Sequence, residues 1–241
     1  MREFVSDIAF TPTVKAAQEQ RGSRRSYARM EQKGGWHDTI TDDLAAFLAA
    51  RDSFYLATTN SEGQPYIQHR GGPPGFLKAI GPRTLAFADF GGNKQYITLG
   101  NLADNPRAFI FLMDYPNRRR IKVWGRVRVV EGDADLIAKL AEPGYEARPE
   151  RAILFEIEAW DVNCPQHITP RFTAEQVDES VVRLMARVAE LEEKVAALRG
   201  AAAVDRRASS RRSAAPDLPQ HADEVEAEEA ADIGVGPAEL Q

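Results

Sequence analysis

Cysteine is nearly absent from this chain: Cys164 is the single one in 241 residues. That excludes an internal disulfide and a zinc site built on CxxC pairs. Long apolar runs are missing too. No stretch approaches the roughly 20 apolar residues that cross a bilayer, and the opening MREFVSDIAF has no apolar leader core. The expectation is a cytoplasmic protein with no membrane partner. The phosphate fingerprints GxGxxG and GxxxxGK followed by Ser or Thr are both lacking. Excess charge is lacking from the body of the chain as well. Residues 201–241 hold nine acidic and four basic side chains, which accounts for the whole net charge of −5 and leaves 27 of each sign in residues 1–200. A general polyanion-binding surface is thereby excluded, and no nucleic-acid partner is expected.

What is present fits one domain with a substantial core plus appendages. Residues 11–51 read as helical: Pro12 opens VKAAQEQ, Gly22 interrupts, and Thr41-Asp42-Asp43 precedes LAAFLAARD with acidic residues in the first turn. Leu44, Phe47 and Leu48 fall on one face of that last helix. After Asp52 the period changes to two. FYLATTN and QPYIQHR flank a Ser61-Glu62-Gly63 turn, and further strands are predicted over 76–80, 84–89, 107–114, 120–131 and 151–162. The links at Gly81-Pro82-Arg83 and Tyr115-Pro116-Asn117 are too short for parallel crossovers, so the sheet is expected to be antiparallel. Short helices near 94–103 and 133–141 complete a mainly β chain, an antiparallel split β-barrel with flanking helices.

From Phe172 the pattern changes again. Val177, Val181, Leu184, Val188, Leu191, Val195 and Leu198 are spaced alternately four and three apart, as in a heptad seam, with charged residues between them. A coiled-coil-like helix over 173–200 that contributes to a dimer is the expectation; a surface helix packed on its own domain is the alternative. Residues 201–241 have no aromatic side chain and are expected to form a disordered acidic tail. The chain is thus divided into an N-terminal helical extension (1–40), the barrel (41–172), the heptad helix and the tail.

The chemistry is best placed at TLAFADFGGNKQ, residues 84–95, where a strand runs into two glycines, an amide and a lysine ahead of a helix. Backbone N–H groups around Gly91, Gly92 and Asn93 form a concavity suited to an anion, and Lys94 adds a full positive charge. Other candidates have plainer readings. Asp89 and Asp114 read as turn or strand-end residues. Cys164, ahead of Pro165, reads as a buried inert thiol. In the run Arg118-Arg119-Arg120 the last residue is the candidate for a ligand contact, with its neighbours solvated.

The order FYLATT, GQPY, TLAFADFGGNKQY, NPRAFIFLMD and RIKVWGRVRVVE resembles the pyridoxamine 5′-phosphate oxidase-like family of FMN-binding split barrels over roughly residues 40–165. Runs similar to GNKQYITLGNL, MDYPNRRR and NCPQHITPRF point to its bacterial flavin-nucleotide-binding branch. The resemblance implies a homodimer that holds FMN in clefts between subunits. It implies that Lys94 grips the phosphate, with Gly92, Asn93 and Gln95 at the same turn. Phe87 and Ala88 fall where strand backbone faces the flavin, and Lys78 matches a basic residue ending the preceding strand. Arg120 falls where a polar residue arrives from the second subunit. Arg70 lies in IQHRGGPPG, a departure from the family's continuous strand, and is either a phosphate contact or a loop charge.

No match to the segment that completes the substrate site of true pyridoxamine phosphate oxidases is found, so pyridoxal phosphate synthesis is not expected. The function implied is a flavin-dependent oxidoreductase with no catalytic acid or base assigned and no metal. A flavin carrier or sensor without turnover is one alternative. A haem-binding split barrel, for which His69 and His167 would be the ligands to consider, is another.

Overall fold

A computed structural model describes residues 2–212, with side chains through residue 206. The chain divides into two compact units, before and after Ala174. In the first, a short 3₁₀ turn at Val5–Ile8 precedes helices α1 (Pro12–Gln20), α2 (Arg24–Gln32) and α3 (Asp42–Ala49). The strands are β1 (Ser53–Thr59), β2 (Pro65–Gly71), β3 (Lys78–Ala79), β4 (Thr84–Phe90), β5 (Arg107–Asp114), β6 (Arg119–Val130) and β7 (Pro149–Asn163). Helix α4 (Ile97–Asp104) follows β4, and α5 (Ala134–Leu140) lies between β6 and β7.

The helix boundaries follow local chemistry. Pro12 sits at the first position of α1, where its missing N–H costs nothing, and Thr11 accepts a hydrogen bond from Val14 N–H. Thr41 caps α3 by accepting from Leu44 N–H at 3.3 Å, and Leu44, Phe47 and Leu48 form the buried face that their spacing predicts.

The seven strands form one antiparallel sheet in the order β2-β1-β5-β6-β7-β4-β3. The mainly β antiparallel fold is therefore as the sequence indicates. The stretch at 76–80 differs: only Lys78 and Ala79 are strand, while Phe76 and Leu77 turn into the core. Gly72 makes this possible, because a Cβ there would stand 2.6 Å from the Phe76 ring.

Inward-facing residues of five strands fill the core: Phe54 and Leu56, Leu85 and Phe87, Ile110 and Leu112, Ile121 and Val123, and Ile153 and Phe155. Strand β4 is buried on both sides. Leu85 and Phe87 face this core, while Ala86 and Ala88 form a second cluster with Leu140 of α5 and Ala152. Small alanines on the outer side let α5 approach the sheet closely.

The N-terminal extension is anchored on the sheet's outer side. Trp36 stacks on Trp124 of β6 with ring centroids 4.7 Å apart, His37 exchanges backbone hydrogen bonds with Trp160, and the Trp160 indole N–H donates to Thr39 O. Buried Glu31 ion-pairs with Arg24 and accepts from the Ser6 hydroxyl.

Asp7 ties the first turn to α1. Burial alone would raise its pKa, but the charged hydrogen bond from Lys15 at 2.7 Å and the backbone N–H groups of Phe4 and Glu3 outweigh this, so its carboxyl titrates below the ordinary value. A carboxylate whose folded pKa is depressed adds stability above its unfolded pKa and loses it as pH falls through the folded value. Amide exchange over residues 3–15 is therefore expected to accelerate as pH drops below about 4, after correction for the intrinsic rate. In Asp7→Asn the segment is expected to exchange faster at neutral pH and to lose that acid dependence.

The second unit is helix α6 (Ala174–Arg212), 39 residues long. It continues beyond Gly200, where a disordered tail was expected to begin, because Ala201-Ala202-Ala203 carries helix formers past the seam. The remainder of that expected tail, from residue 213, lies outside the described residues. Among the described residues no helix is long and apolar enough to cross a membrane.

Candidate functional site

The inward faces of β1 and β2 differ sharply. Phe54, Leu56 and Thr58 of β1 stand in register with Arg70, Gln68 and Tyr66 of β2, so a buried, mostly apolar row lies beside a polar, half-buried one. β2 is one end of the strand order and β3, beside β4, the other. Where these ends face each other the barrel is split, and Arg70 crosses the gap to ion-pair with Asp89 of β4. Helix α4 packs into the same opening: Thr98 donates to Gln68 at 2.8 Å and Asn101 donates to Thr58 at 3.0 Å.

At this opening lies a cleft of about 270 Å³, lined by Tyr66, Gln68 and Arg70 from β2, Asp89 and Phe90 from β4, the segment from Gly92 to Leu99, and Glu150 and Arg151. Arg70, Gly92, Asn93, Lys94 and Gln95, proposed from sequence, are gathered here. Lys78, Phe87, Ala88 and Arg120 are not part of the lining. Lys78 ion-pairs with Glu142. Phe87 is buried, edge-on to Phe54 and Phe76, and its backbone pairs with Ile153. Ala88 faces the α5 cluster. Arg120 lies on β6 opposite Met113 and Asn163, and its buried Nε has no hydrogen-bond partner among the described residues.

The loop from Gly91 to Tyr96 is shaped differently from the concavity expected around the glycines. Gly91 and Gly92 keep ordinary φ, while Lys94 and Tyr96 adopt left-handed values of 59° and 55°. Such values are costly for side-chain-bearing residues. Asn93 accepts a hydrogen bond from Gln95 N–H at 3.3 Å, and α4 begins only at Ile97, without a side-chain cap.

Asp89 and Arg151 are the main additions to the site. They face each other across the β4–β7 ladder, and Arg151 donates to Asp89 at 2.8 Å, to Glu131 at 3.1 Å and to Glu150 at 2.9 Å. Burial would lower the Arg151 pKa, but hydrogen bonds to Asp89 and Glu131 outweigh it, so the guanidinium stays firmly charged. Asp89, 5% exposed, is no simple strand-end residue but the shared partner of two arginines. One signal could have found the pair: Asp89 has the inward parity of Leu85 and Phe87, and Arg151 that of Ile153 and Phe155.

Three cations, Arg70, Lys94 and Arg151, line the cleft against the carboxylates of Asp89 and Glu150. The buried Arg70 Nε has no partner among the described residues. A buried N–H donor without an acceptor costs about 1–3 kcal/mol.

The other candidates lie elsewhere. His69 packs edge-on against Tyr55. His167 sits in a loop with φ 62°. Cys164 is exposed, contrary to the expectation of a buried thiol, because it follows the end of β7 at Asn163 and precedes a proline. Asp114, also buried, ion-pairs with Arg51 and accepts from Asn117.

Residues 40–164, just over half of the chain, match the family model described as pyridoxamine 5′-phosphate oxidase. The chain belongs to that family. The matched range runs from the residue before the α3 cap through the end of β7, so the pyridoxamine 5′-phosphate oxidase unit contains the whole sheet and the cleft, while most of the N-terminal extension and α6 lie outside it. No curated protein sequence gives a significant match.

Among solved structures, the chain is similar to an FMN-binding protein from Syntrophomonas wolfei, with 14% identity, a TM-score of 0.41, and 61% of this chain and 97% of that one covered. HupZ from Group A Streptococcus has 17% identity and a TM-score of 0.43, with coverage of 55% and 99%. General Stress Protein 26 from Bacillus anthracis has 15% identity and a TM-score of 0.38, with coverage of 54% and 94%.

Proposed function

We propose that this protein is an FMN-binding flavoprotein of the pyridoxamine 5′-phosphate oxidase family that acts as a flavin-dependent oxidoreductase on a small substrate other than a pyridoxal phosphate precursor. The observation that carries the reading is the gathering of Arg70, Lys94 and Arg151 with the segment from Gly92 to Gln95 around one cleft. That donor set suits a phosphate, since charge-assisted bonds to phosphate oxygens are among the stronger hydrogen bonds available.

The cleft of about 270 Å³ is below the roughly 300–1,000 Å³ usual for sites that enclose a drug-sized ligand. It suits the phosphate end of FMN and leaves the ring to be covered by other walls, which a second subunit would supply in a homodimer. Arg120, which lies on β6 outside the cleft, is a candidate for that contribution.

Bound FMN would supply the redox chemistry itself. The protein's part is positional. Arg70 and Lys94 hold the anionic end, Asp89 and Arg151 keep Arg70 in place, and α4 closes the base of the cleft through the Thr98–Gln68 and Asn101–Thr58 bonds.

The purified protein is expected to show a flavin absorbance spectrum and to release a compound with the mass of FMN. Lys94→Ala is expected to weaken FMN binding by about 1.5–3 kcal/mol, roughly tenfold to a hundredfold in Kd. A Soret band, or no binding when FMN is titrated into the apoprotein, would overturn the assignment. Reduction by a nicotinamide donor with repeated reoxidation would separate an enzyme from a carrier.

A further inference from the structure

Helix α6 carries a surface that the flavin reading does not use. Its seven seam residues, Val177 through Leu198, are all exposed, between 43% and 70%. They are also sorted by shape. In a heptad frame where Leu184, Leu191 and Leu198 take the d positions, every a position within the seam is valine: Val181, Val188 and Val195. Val177 is the single d position without leucine. β-Branched residues at a and leucine at d favour two parallel strands, because only there does a pack against a and d against d. In an antiparallel pair every layer mixes the two classes, and the sorting would serve no packing purpose.

Charge alone does not choose the orientation. In the parallel pair Arg187 at g faces Glu192 at e of the other strand, and Lys194 faces Arg199. In the fully overlapped antiparallel pair Arg187 faces Lys194, and Asp178 faces Arg199 near the ends. Glu190 on the same helix already draws Arg187 at 2.5 Å and Lys194 at 2.6 Å, which softens both repulsions. The sorted seam therefore decides.

We propose that α6 pairs with α6 of a second copy of this chain as a parallel, in-register, two-stranded coiled coil. The proposal stands apart from the flavin assignment, since none of its residues lines the cleft.

Cross-linking of the full chain in a Cys164→Ser background tests it. Single cysteines are introduced by Val181→Cys and Leu198→Cys on the seam and by Glu193→Cys on the opposite side of the helix. Circular dichroism confirms equal helicity before mild oxidation. Each seam cysteine is expected to yield covalent homodimer at least about tenfold faster than the outward one, since a disulfide needs Cα atoms within about 7 Å.

Co-expression of the Val181→Cys chain with a size-tagged Leu198→Cys chain is expected to give little mixed product. In the parallel pair those positions are about 25 Å apart along the helix. Predominance of the mixed product would establish the antiparallel pair and overturn the proposal. Equal rates for all three cysteines would overturn pairing altogether.

Discussion

Alanine in place of Gly125 is expected to prevent the barrel from folding. Gly125 stands at the irregularity in the β6–β7 ladder, where Trp124 pairs with Ala159 and Gly125 already with Ile157. A Cβ at this position would lie 2.1 Å from the Glu156 carbonyl oxygen and 2.4 Å from the Phe155 ring. The ring cannot retreat, because Phe155 is fully buried within the main core. The carbonyl cannot move without breaking the pairing of two long strands that join the halves of the sheet. Overpacking usually costs about 1–3 kcal/mol where side chains can adjust. Here backbone must move as well, so a loss beyond that range is expected, seen as insoluble protein or a collapsed urea midpoint. Gly100→Ala on α4 is the matched control: nothing lies within 4 Å of its Cβ position, and the change is expected to stabilise by about 0.5–1 kcal/mol.

Asp89→Asn is expected to produce the other large effect, of a different kind. The substitution keeps the shape and removes the charge shared by Arg70 and Arg151, whose side chains retain 15% and 11% exposure. Removing one partner from a buried ion pair costs about 3–5 kcal/mol. The residual exposure of the guanidinium groups and the remaining carboxylates on Arg151 put the expected loss near the bottom of that range, at about 3 kcal/mol. The same change raises the net positive charge of the cleft. If the cleft takes a phosphate, the variant is expected to recover stability in phosphate buffer relative to chloride at equal ionic strength, through preferential binding to the folded state. Equal urea midpoints in the two salts would argue against an anion at this position.

Much of the fold was readable because its signals are local. The change of period at Asp52, the short turns at Gly81-Pro82-Arg83 and after Asp114, and the Thr41 cap are each fixed by a few neighbouring residues. The site was readable only in its contiguous part. The segment from Gly92 to Gln95 could be found from one stretch of sequence, whereas Arg151 is opposite Asp89 only because β7 pairs with β4 across more than sixty residues. The left-handed backbone of the loop before α4 had no signal in the sequence. Glycine accepts left-handed φ most readily, yet here it falls on Lys94 and Tyr96, both exposed, and not on Gly91 or Gly92. The heptad pattern stops at Leu198, so the helix was read only to Gly200, whereas its continuation to Arg212 depends on helix propensity instead.

The strand order has a kinetic meaning as well. Arg70 belongs to the strand at one end of the sheet and Asp89 to the strand next to the other end, with β1, β5, β6 and β7 between them. Only 19 residues separate the two along the chain, so that pair closes a short loop, whereas the ladder that sets Arg151 against Asp89 joins residues 62 apart. The cleft's full set of cations is therefore assembled only once β7 docks on β4, and a chain halted before that step lacks Arg151 at the opening.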